Sequence, residues 1–402
     1  MFTEGIMNKY ADVMMWAIKN ARKTVGGKFK EGEYVRIGYD PTAVNLAELM
    51  AVRILREGLN PVVRAYGTDN MAHNFLTYAS DKQLTDIAPW EEVIVRNLSG
   101  HIALLAPQDL FNLEDIDPAK MSKMAVVRKF LREIFDDKEA KGEFAWTLTF
   151  LPTAEQASQS KLSLRDYEDQ VIKACGLDWQ YPTTKWENLK AEANCIMNTL
   201  WDLGVDRFHI EGENTDLIVG MREGRKFMGF TGHNMPSYEI FTSPDWHRVD
   251  GIFHADIASF RDGRYVKGVD LTFKDGEITS AKAEEGDEYL QAQLNTDEGA
   301  KRMGEFSATD RRHSRIDKLL SNGLMDENYG GEFGNCHIAL GKSFADCHMN
   351  AKEVETKEQR DKLGFNDSAI HWDFIQHTDR KITAYLKDGS KKVIYEGGQF
   401  IY

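Results

Sequence analysis

Apolar residues recur at helical spacing from the start of the chain. Between residues 6 and 25 they fall on one side of a helix: Met7, Tyr10, Ala11, Met14, Met15 and Ile18. A strand is predicted around residues 34–39, then a helix over AVNLAELMAVRILREGL (43–59), then a strand over PVVRAY (61–66). Strand, helix and strand in about 30 residues indicate a parallel crossover unit.

The pattern continues with further apolar runs of strand length. These predicted strands are EEVIVRNL (91–98), HIALLAP (101–107) and EFAWTLTFLP (143–152). A helix is predicted between them over MSKMAVVRKFLREIFDDKEA (121–140). No Gly-rich fingerprint joins a strand to a helix, so this region does not indicate a nucleotide site. We expect an α/β domain with a mostly parallel sheet, which supports or caps a site elsewhere.

The pattern changes in the second half of the chain. Residues 158–204 are predicted to be helical, and beyond Val205 short strand-like runs alternate with Asp-Gly and Glu-Gly turns. The segment FKDGEI (273–278) is a clear hairpin signal. We therefore predict two domains, an α/β domain over residues 1–190 and an α+β domain with a largely antiparallel sheet over residues 191–402.

Composition narrows the classes of function. The chain has 402 residues, 42% hydrophobic and 28% charged, which is ordinary for a globular enzyme. A net charge of −14 argues against a general nucleic-acid binder and against binding to anionic membranes. The start of the sequence has no signal pattern, and no apolar run is long enough to span a bilayer. The four cysteines lack paired C-x-x-C spacing, so a cytoplasmic location is expected.

Candidate chemistry is concentrated in four short segments of the second half. GEFGNCHIALGKSF (331–344) holds Glu332 and His337, and the other three segments supply isolated acids or an acid with a histidine. Those further candidates are Glu239 in NMPSYEIFTSPDW, Glu305 in MGEFSATD, and His371 with Asp373 in NDSAIHWDFI. A mixture of imidazole and carboxylate suits zinc, cobalt or manganese better than calcium. The pattern suggests a two-metal hydrolase.

Each candidate also has a simpler interpretation. Glu239 and Glu305 lie among apolar neighbours, so a buried carboxylate there must be paired, protonated or metal-bound, but either could also be a solvated turn residue. In a strand, His371 and Asp373 point to the same face and could share a metal ion or form only a structural pair. Glu332 and His337 are five positions apart and could converge only through the turn at Gly334.

Other residues carry weaker signals. The remaining histidines could be buried, exposed or supporting residues, and His313 in TDRRHSRID is predicted on a solvated basic surface; they are His233, His247, His254, His348 and His377. Asp245 and Asp256 are further possible carboxylates. No G-x-S-x-G elbow and no H-E-x-x-H helix is present, and the adjacency of Cys336 to His337 does not by itself make a nucleophile pair.

Together the quoted motifs resemble those of the thermophilic metalloaminopeptidases, the group that includes aminopeptidase T and aminopeptidase II. The matching stretches are NMPSYEIFTSPDW, MGEFS, GEFGNCHIALG, NDSAIHWDF and DGSKKVIYEGGQF, with ALLAPQDL as a looser match. The resemblance implies a peptidase that releases N-terminal residues, using two divalent ions, with zinc or cobalt expected and manganese or magnesium possible. The ions would hold and acidify a bridging water, and the free amine of the peptide would dock beside them.

The same resemblance implies site residues and an assembly. The metal ligands would be Glu239, Glu305, Glu332, His337, His371 and Asp373, with Glu305 also catalytic as the carboxylate that bridges both ions. The enzyme would be a cytoplasmic homodimer acting on a peptide or small amide. Its N-terminal domain would partly roof the catalytic domain.

One position departs from the family pattern. Where the family has a Tyr seven residues after the His, this chain has Phe344, which cannot donate a hydrogen bond to a tetrahedral oxyanion. Losing such a donor costs on the order of 2.7–4 kcal/mol of transition-state stabilisation. Tyr329, Ser343 or His377 could substitute. The alternatives to an ordinary aminopeptidase are a metal-dependent amidase acting on a specialised small molecule or modified peptide, and a catalytically weak peptide-binding homologue.

Overall fold

The structure is a computed structural model that describes residues 2–261, 263–354 and 356–401. The chain divides into two compact units. The first comprises the chain up to Glu187 together with Thr231–Ser237, and the second comprises Asn188–Phe230 and the chain from Tyr238 onward. The short return of Thr231–Ser237 to the first unit has no counterpart in the predicted division of the chain.

The elements are as follows. The helices are α1 (Glu4–Thr24), α2 (Val44–Arg56), α3 (Asp69–Tyr78), α4 (Asp81–Thr85), α5 (Pro89–Asn97), α6 (Pro118–Ala140), α7 (Ala154–Gln159), α8 (Leu164–Ala174), α9 (Pro182–Asp202), α10 (Asp287–Leu294), α11 (Gly323–Asp326) and α12 (Lys357–Lys362). Within the described residues, none of these helices is long and apolar enough to cross a bilayer.

The strands are β1 (Tyr34–Tyr39), β2 (Asn60–Ala65), β3 (Leu98–Leu105), β4 (Ala145–Phe150), β5 (Val205–Gly212), β6 (Thr215–Gly220), β7 (Met228–Gly229), β8 (Asn234–Met235), β9 (Glu239–Thr242), β10 (Val249–Ala255), β11 (Ser259–Arg261), β12 (Arg264–Lys274), β13 (Glu277–Glu285), β14 (Met303–Thr309), β15 (Asn335–Gly341), β16 (His371–Gln376), β17 (Arg380–Leu386), β18 (Lys391–Glu396) and β19 (Gln399–Phe400).

The first unit is built on a five-stranded sheet. Its order is β2-β1-β3-β4-β8, and every pairing in it is parallel. Helix α1 buries one apolar face, which includes Tyr10, Met14 and Ile18, as its spacing predicts. Thr3 caps this helix by accepting a hydrogen bond from the amide of Ile6. The predicted α/β unit with a parallel sheet is confirmed.

One predicted strand of this unit is wrong. The run 91–98 forms most of helix α5, and the strand β3 begins only at Leu98. The β-branched residues of the run suggested a strand, but the positions before them favour a helix: Pro89 stands in the first turn with Glu91 and Glu92, and Glu92 pairs with Arg96 one turn later at 2.6 Å. Local helix signals therefore outweighed the strand preference of Val and Ile.

The second unit contains two antiparallel sheets. The larger has the order β11-β12-β10-β6-β5-β17-β18-β19, with β13 added on β12, and the smaller has the order β16-β15-β14-β9-β7. The predicted α+β character with a mostly antiparallel sheet is confirmed. Strands β14 and β15, at the centre of the smaller sheet, are buried at every position. Polar side chains on those two strands are therefore shielded from water and must form hydrogen bonds or ion pairs within the protein.

Asp310 fixes the end of the chain to the smaller sheet. Its carboxylate is buried and accepts hydrogen bonds from the guanidinium of Arg312 and from the amides of Arg312 and Phe400. Burial alone raises the pKa of Asp310, but these hydrogen bonds bring it below its ordinary value. Because the folded pKa is depressed, this carboxylate stabilises the fold above the unfolded pKa, and the contribution is lost as the pH falls through the folded pKa.

We therefore expect Asp310→Asn to lower the free energy of unfolding by about 1–3 kcal/mol at neutral pH, the usual loss for a buried charged hydrogen-bond acceptor. The variant should also lose less stability than the natural protein when the pH is lowered below about 4. Denaturant titrations at several pH values measure both effects. Asp169→Asn, at an exposed position of α8, is the matched control and should leave both nearly unchanged. Equal acid sensitivity of the Asp310→Asn variant and the natural protein would contradict this account.

Candidate metal centre

Four neighbouring strands of the smaller sheet carry five of the predicted site residues. Glu239 begins β9, Glu305 lies in β14, His337 lies in β15, and β16 carries His371 and Asp373. The register brings their positions together, since β14 pairs Ser307 with His337 and Thr309 with Glu239. Alternation along each strand then turns these side chains to one face of the sheet.

Ala339 makes room at the centre of this face. It is the register partner of Glu305 on β14 and of Asp373 on β16. The two acids therefore lie on either side of a methyl group, and a larger side chain at this position would fill the space between them.

The side chains form two groups that share one carboxylate. In the first group, Nε2 of His337 lies 3.3 Å from Oε2 of Glu239 and 3.5 Å from Oε1 of Glu305. In the second, Nε2 of His371 lies 3.2 Å from Oε2 of Glu305 and 3.5 Å from Oδ1 of Asp373. Within each group the candidate ligand atoms all lie within 4.8 Å of one another. Glu305 is therefore the residue that the two groups have in common.

Burial and close charges shift the pKa values across this cluster. Burial raises the pKa of Glu239, and the nearby charge of Glu305 adds to that rise. Burial also acts to raise the pKa of Glu305, but hydrogen bonds from His337 and His371 bring it below the ordinary value. Burial acts against protonation of His371, yet Asp373 and Glu305 raise its pKa to about 10. These shifts arise because the imidazoles and carboxylates attract one another at short range away from water.

Hydrogen bonds from outside the cluster orient its members. The hydroxyl of Ser307 donates to Oε2 of Glu239 at 3.1 Å. Nδ1 of His371 lies 2.9 Å from the carbonyl oxygen of Lys342. If Nδ1 donates to that carbonyl, the unprotonated Nε2 faces the carboxylates, which is the arrangement that metal-binding histidines commonly adopt.

This donor set suits divalent cations. The buried carboxylates of Glu239 and Glu305, the partly exposed carboxylate of Asp373 and two imidazoles keep excess negative charge even when both imidazoles are protonated, and buried charge without compensation is costly. Cations between the carboxylates would supply the compensation. Carboxylate oxygen and imidazole nitrogen are ligands for zinc, cobalt and manganese, and the sharing of one carboxylate fits a pair of ions rather than a single ion.

Glu332 is the predicted ligand that the structure does not bring to this cluster. Its side chain is exposed, and it belongs to neither group of candidate ligands found among the described residues. Its backbone carbonyl accepts a hydrogen bond from Arg311 in the turn before β15. The turn at Gly334 therefore leaves the side chain of Glu332 in solvent, whereas His337 is buried in β15.

Glu327 is a buried carboxylate beside the cluster that the sequence analysis did not single out. It is buried directly after α11, and its pKa is raised well above the ordinary value by burial and then by the charges of Glu239 and Asp373. Nδ2 of Asn328 donates to Oε1 of Glu327 at 3.3 Å, and Oδ1 of Asn328 accepts from the amide of Tyr238, the residue before Glu239. Asn328 thus joins this fourth carboxylate to strand β9.

Sequence reasoning missed Glu327. The segment LMDENYGG (324–331) presents it within a run of three polar residues, which is typical of an exposed turn. The one available signal was the pair of apolar residues, Leu324 and Met325, directly before it. Both are buried, and the two acids that directly follow them, Asp326 and Glu327, are buried as well.

Phe344 contacts the cluster from the side. Its ring centroid lies 4.8 Å from that of His371 and 5.9 Å from that of Phe241. Its amide donates to Oγ of Ser243 at 2.8 Å, which fixes the backbone at this position. The position named by the resemblance is therefore next to a candidate ligand, and it presents a hydrocarbon edge where a phenol would present a hydroxyl.

The three residues considered as replacements for a phenol have other contacts. Oγ of Ser343 accepts a hydrogen bond from the amide of Asn366 at 2.9 Å. Nδ1 of His377 lies 3.0 Å from Asp256, and the ring of Tyr329 lies 5.9 Å from that of His377. None of the three belongs to either group of candidate ligands in the part of the chain that the structure describes.

His313 is not on a solvated surface, so that prediction was wrong. His313 is buried, and its ring centroid lies 5.8 Å from that of Phe230. The hydrogen bonds of the neighbouring Asp310 hold this segment against the sheet. The other histidines outside the cluster have local partners: His233 with Glu139, His247 with Asp245, His254 with Asp270, and His348 with the carbonyl oxygen of Asn350.

Comparison with known proteins shows the family of this chain. A model of the thermophilic metalloprotease (M29) family matches residues 3–400. The chain therefore belongs to the thermophilic metalloprotease family, and the resemblance predicted from its motifs is confirmed.

Its relatives include named aminopeptidases. Aminopeptidase T of Thermus thermophilus is 26% identical over 403 residues, which is 94% of this chain and 96% of that protein. Aminopeptidase 2 of Geobacillus stearothermophilus is 25% identical over 427 residues, which is 99% of this chain and 98% of that protein. The solved structure of wild-type AmpT from Thermus thermophilus superposes with a TM-score of 0.77 at 22% identity and covers 100% of both chains, so the fold is shared.

Proposed function

We propose that this protein is a metal-dependent aminopeptidase that releases N-terminal residues from peptides. The observation that carries the proposal is the pair of ligand groups that share the buried carboxylate of Glu305. Membership of a metalloprotease family and relatives named aminopeptidases support the same activity.

In this proposal, Glu239, Glu305 and His337 hold one divalent ion, and Glu305, His371 and Asp373 hold a second. When bound, such a pair would polarise the scissile carbonyl and acidify the attacking water. The carboxylate of Glu305 would set the spacing of the two positions, because its two oxygens face different histidines. Ser307 and the carbonyl of Lys342 would hold Glu239 and His371 in the orientation required for binding.

Glu327 is the proposed proton carrier. It is buried beside the ligand groups without belonging to either, so one carboxylate oxygen can accept a proton from the attacking nucleophile and later return it to the leaving amine. A hydrogen bond from Nδ2 of Asn328 holds the carboxylate of Glu327 in place. Docking of the free amine of the substrate beside the two ions, as the family resemblance implies, would restrict attack to the first peptide bond.

Metal content and turnover test the proposal together. The purified protein would be stripped with chelator, dialysed separately against zinc, cobalt and manganese, and measured by elemental analysis and by hydrolysis of aminoacyl-p-nitroanilides. We expect close to two ions per chain and hydrolysis only in the loaded forms. N-acetylated versions of the same substrates should not be cleaved. Less than about one ion per chain, or equal cleavage of acetylated and free substrates, would refute an aminopeptidase.

Phe344→Tyr should increase turnover. The phenol would add a hydrogen-bond donor beside His371, and one such donor is worth on the order of 10²–10³ in kcat when it reaches the developing oxyanion. We expect an increase in kcat with little change in KM, since the donor acts in the transition state. Phe241→Tyr, on the neighbouring ring, is the matched control and should not increase kcat. A Phe344→Tyr variant with unchanged or lower kcat would show that the oxyanion is bound elsewhere.

The phenyl ring of Phe344 also favours a second candidate function. A centre without a phenol beside His371 suits an amide that needs less oxyanion stabilisation, such as a specialised small molecule or modified peptide. Ready turnover of ordinary aminoacyl substrates by the natural protein would remove the need for this candidate. Metal binding without any turnover would instead favour the third alternative, a peptide-binding homologue.

A further inference from the structure

Three polar side chains meet beside the parallel sheet of the first unit, and together we name them the Arg–His–Tyr cluster. Arg36 lies in β1, His101 is its register partner in β3, and Tyr66 directly follows β2. Nη2 of Arg36 lies 3.1 Å from Nδ1 of His101, and Nε2 of His101 lies 3.2 Å from the hydroxyl oxygen of Tyr66. Each of the three residues is half-buried, so they are shielded from most water but can be reached from the surface.

The backbone around this cluster leaves space for the phenol. A Cβ added to Gly38 of β1 would lie 2.1 Å from the hydroxyl oxygen of Tyr66, so a side chain at that position would displace the hydroxyl. The cluster also lies where the strand order reverses, because the chain passes from β1 to β2 on one side and places β3 and β4 on the other. Open parallel sheets bind their ligands at such a reversal.

The chemistry of the three groups fixes the direction of their hydrogen bonds. A guanidinium can only donate, so Nδ1 of His101 accepts from Arg36 and the proton of the neutral ring lies on Nε2. Burial, and then the charge of Arg36, lower the pKa of His101 to about 3, which agrees with a neutral ring. Nε2 therefore donates to the oxygen of Tyr66. The O–H of Tyr66 is left to donate to a further group.

Arg36 also has donors that the described part of the chain does not use. Within those residues its guanidinium makes one hydrogen bond, to His101, and its Nε is shielded from water without an acceptor. The nearby acid Glu91 pairs with Arg64 at 3.8 Å, and Arg64 adds a second positive charge beside Arg36. A shielded guanidinium without a close negative charge is costly, and a bound anion would compensate it.

We propose that the Arg–His–Tyr cluster is a binding site for a small oxyanion, either a carboxylate or a phosphate group. Arg36 supplies positive charge and N–H donors, and arginine recognises both kinds of group. Tyr66 supplies an O–H donor whose direction is set by His101. Every residue of this site belongs to the first unit and the metal cluster belongs to the second, so the inference is independent of the proposed function.

Calorimetric titration of the metal-loaded protein with inorganic phosphate, and separately with acetate, tests the site. Tyr66→Phe removes only the hydroxyl and should weaken binding on the order of 10–100-fold, the usual range for a hydrogen bond to a charged group. Arg36→Met removes the charge and should weaken binding at least as much. The matched controls are Tyr78→Phe on α3 and Arg165→Met on α8, two exposed positions of the same unit, and both should bind as the natural protein does.

Phosphate also binds metal ions, so the decrease in the two cluster variants, rather than binding alone, supports the proposal. Equal affinity in all variants, or no binding of either anion by the natural protein, would overturn it. Binding of phosphate alone assigns the site to a phosphate group, and binding of acetate alone assigns it to a carboxylate. Circular dichroism and metal content should match the natural protein. The conservative Tyr66→Phe variant tests the site even where Arg36→Met does not fold.

The proton of His101 and the position of the anion provide two further measurements. Long-range proton–nitrogen spectra, assigned with His101→Gln, should show a neutral ring protonated on Nε2 between about pH 5 and 8. A proton on Nδ1, or an ordinary histidine pKa of about 6.5, would overturn the direction of the hydrogen bonds. In crystals grown with phosphate, the anion should lie within hydrogen-bond distance of Arg36 and Tyr66. Phosphate found only at the metal centre would overturn the site.

Discussion

Glu305→Gln should abolish most of the activity and most of the metal binding. Glu305 is the carboxylate that both ligand groups share, and its two oxygens face His337 and His371 separately. An amide in its place removes one negative charge and leaves only one oxygen acceptor. The metal contribution to hydrolysis is several kcal/mol, so we expect kcat/KM to fall on the order of 10³ or more.

Elemental analysis after reconstitution gives the direct measurement for this variant. We expect fewer than two ions per chain, with weaker retention of those that remain. Ser307→Ala is a graded comparison, because it removes only the hydroxyl that orients Glu239 and should reduce metal affinity about 10–100-fold. Full metal content and near-normal kcat in Glu305→Gln would show that the cluster is not the catalytic centre.

Glu327→Gln should reduce kcat by about 10²–10⁴, while Glu332→Gln should leave it within a factor of two. The first range is the usual contribution of a general acid–base group. The second expectation follows because Glu332 is exposed and stands outside both ligand groups. The two substitutions are chemically identical and five positions apart, so each serves as the control for the other.

Metal content separates the roles that Glu327 could have. Because it lies outside both ligand groups, Glu327→Gln should keep both ions while turnover is lost. Loss of an ion in this variant would make Glu327 a ligand instead of a proton carrier. A large loss of activity in Glu332→Gln with normal activity in Glu327→Gln would restore the ligand set suggested by the sequence and would contradict the positions seen in the structure.

The sequence predicted the secondary structure best where pattern and local signals agree. Helix α1 combines an apolar face with a capping Thr3, and the strand β1 lies between two turn signals. The prediction was wrong at residues 91–98, where Val93, Ile94 and Val95 favour a strand while Pro89 and the following acids favour a helix. Periodicity over so few residues cannot decide between the two, and in the folded protein the local helix signals outweigh the strand preference.

The candidate site, like the secondary structure, could be predicted only in part from the sequence. His371 and Asp373 could be paired from sequence because alternation along one strand places them on one face. Glu239 and Glu305 stood out as acids among apolar residues, and the structure brings both to the cluster. The sequence could not decide whether Glu332 or Glu327 lies beside the cluster. The five-residue spacing between Glu332 and His337 does not show which way the Gly-rich turn between them bends.

By itself the sequence determined the class of each domain, the four segments that hold the candidate ligands, and the loss of a phenol at Phe344. Those features depend on neighbours along the chain, through hydrophobic spacing and strand alternation. Only the tertiary structure decided that Glu327 and not Glu332 is buried beside the ligand groups, and that Ala339 separates Glu305 from Asp373. These depend on strand order, register and burial, which arise from contacts between residues far apart in the sequence, and no local pattern encodes them.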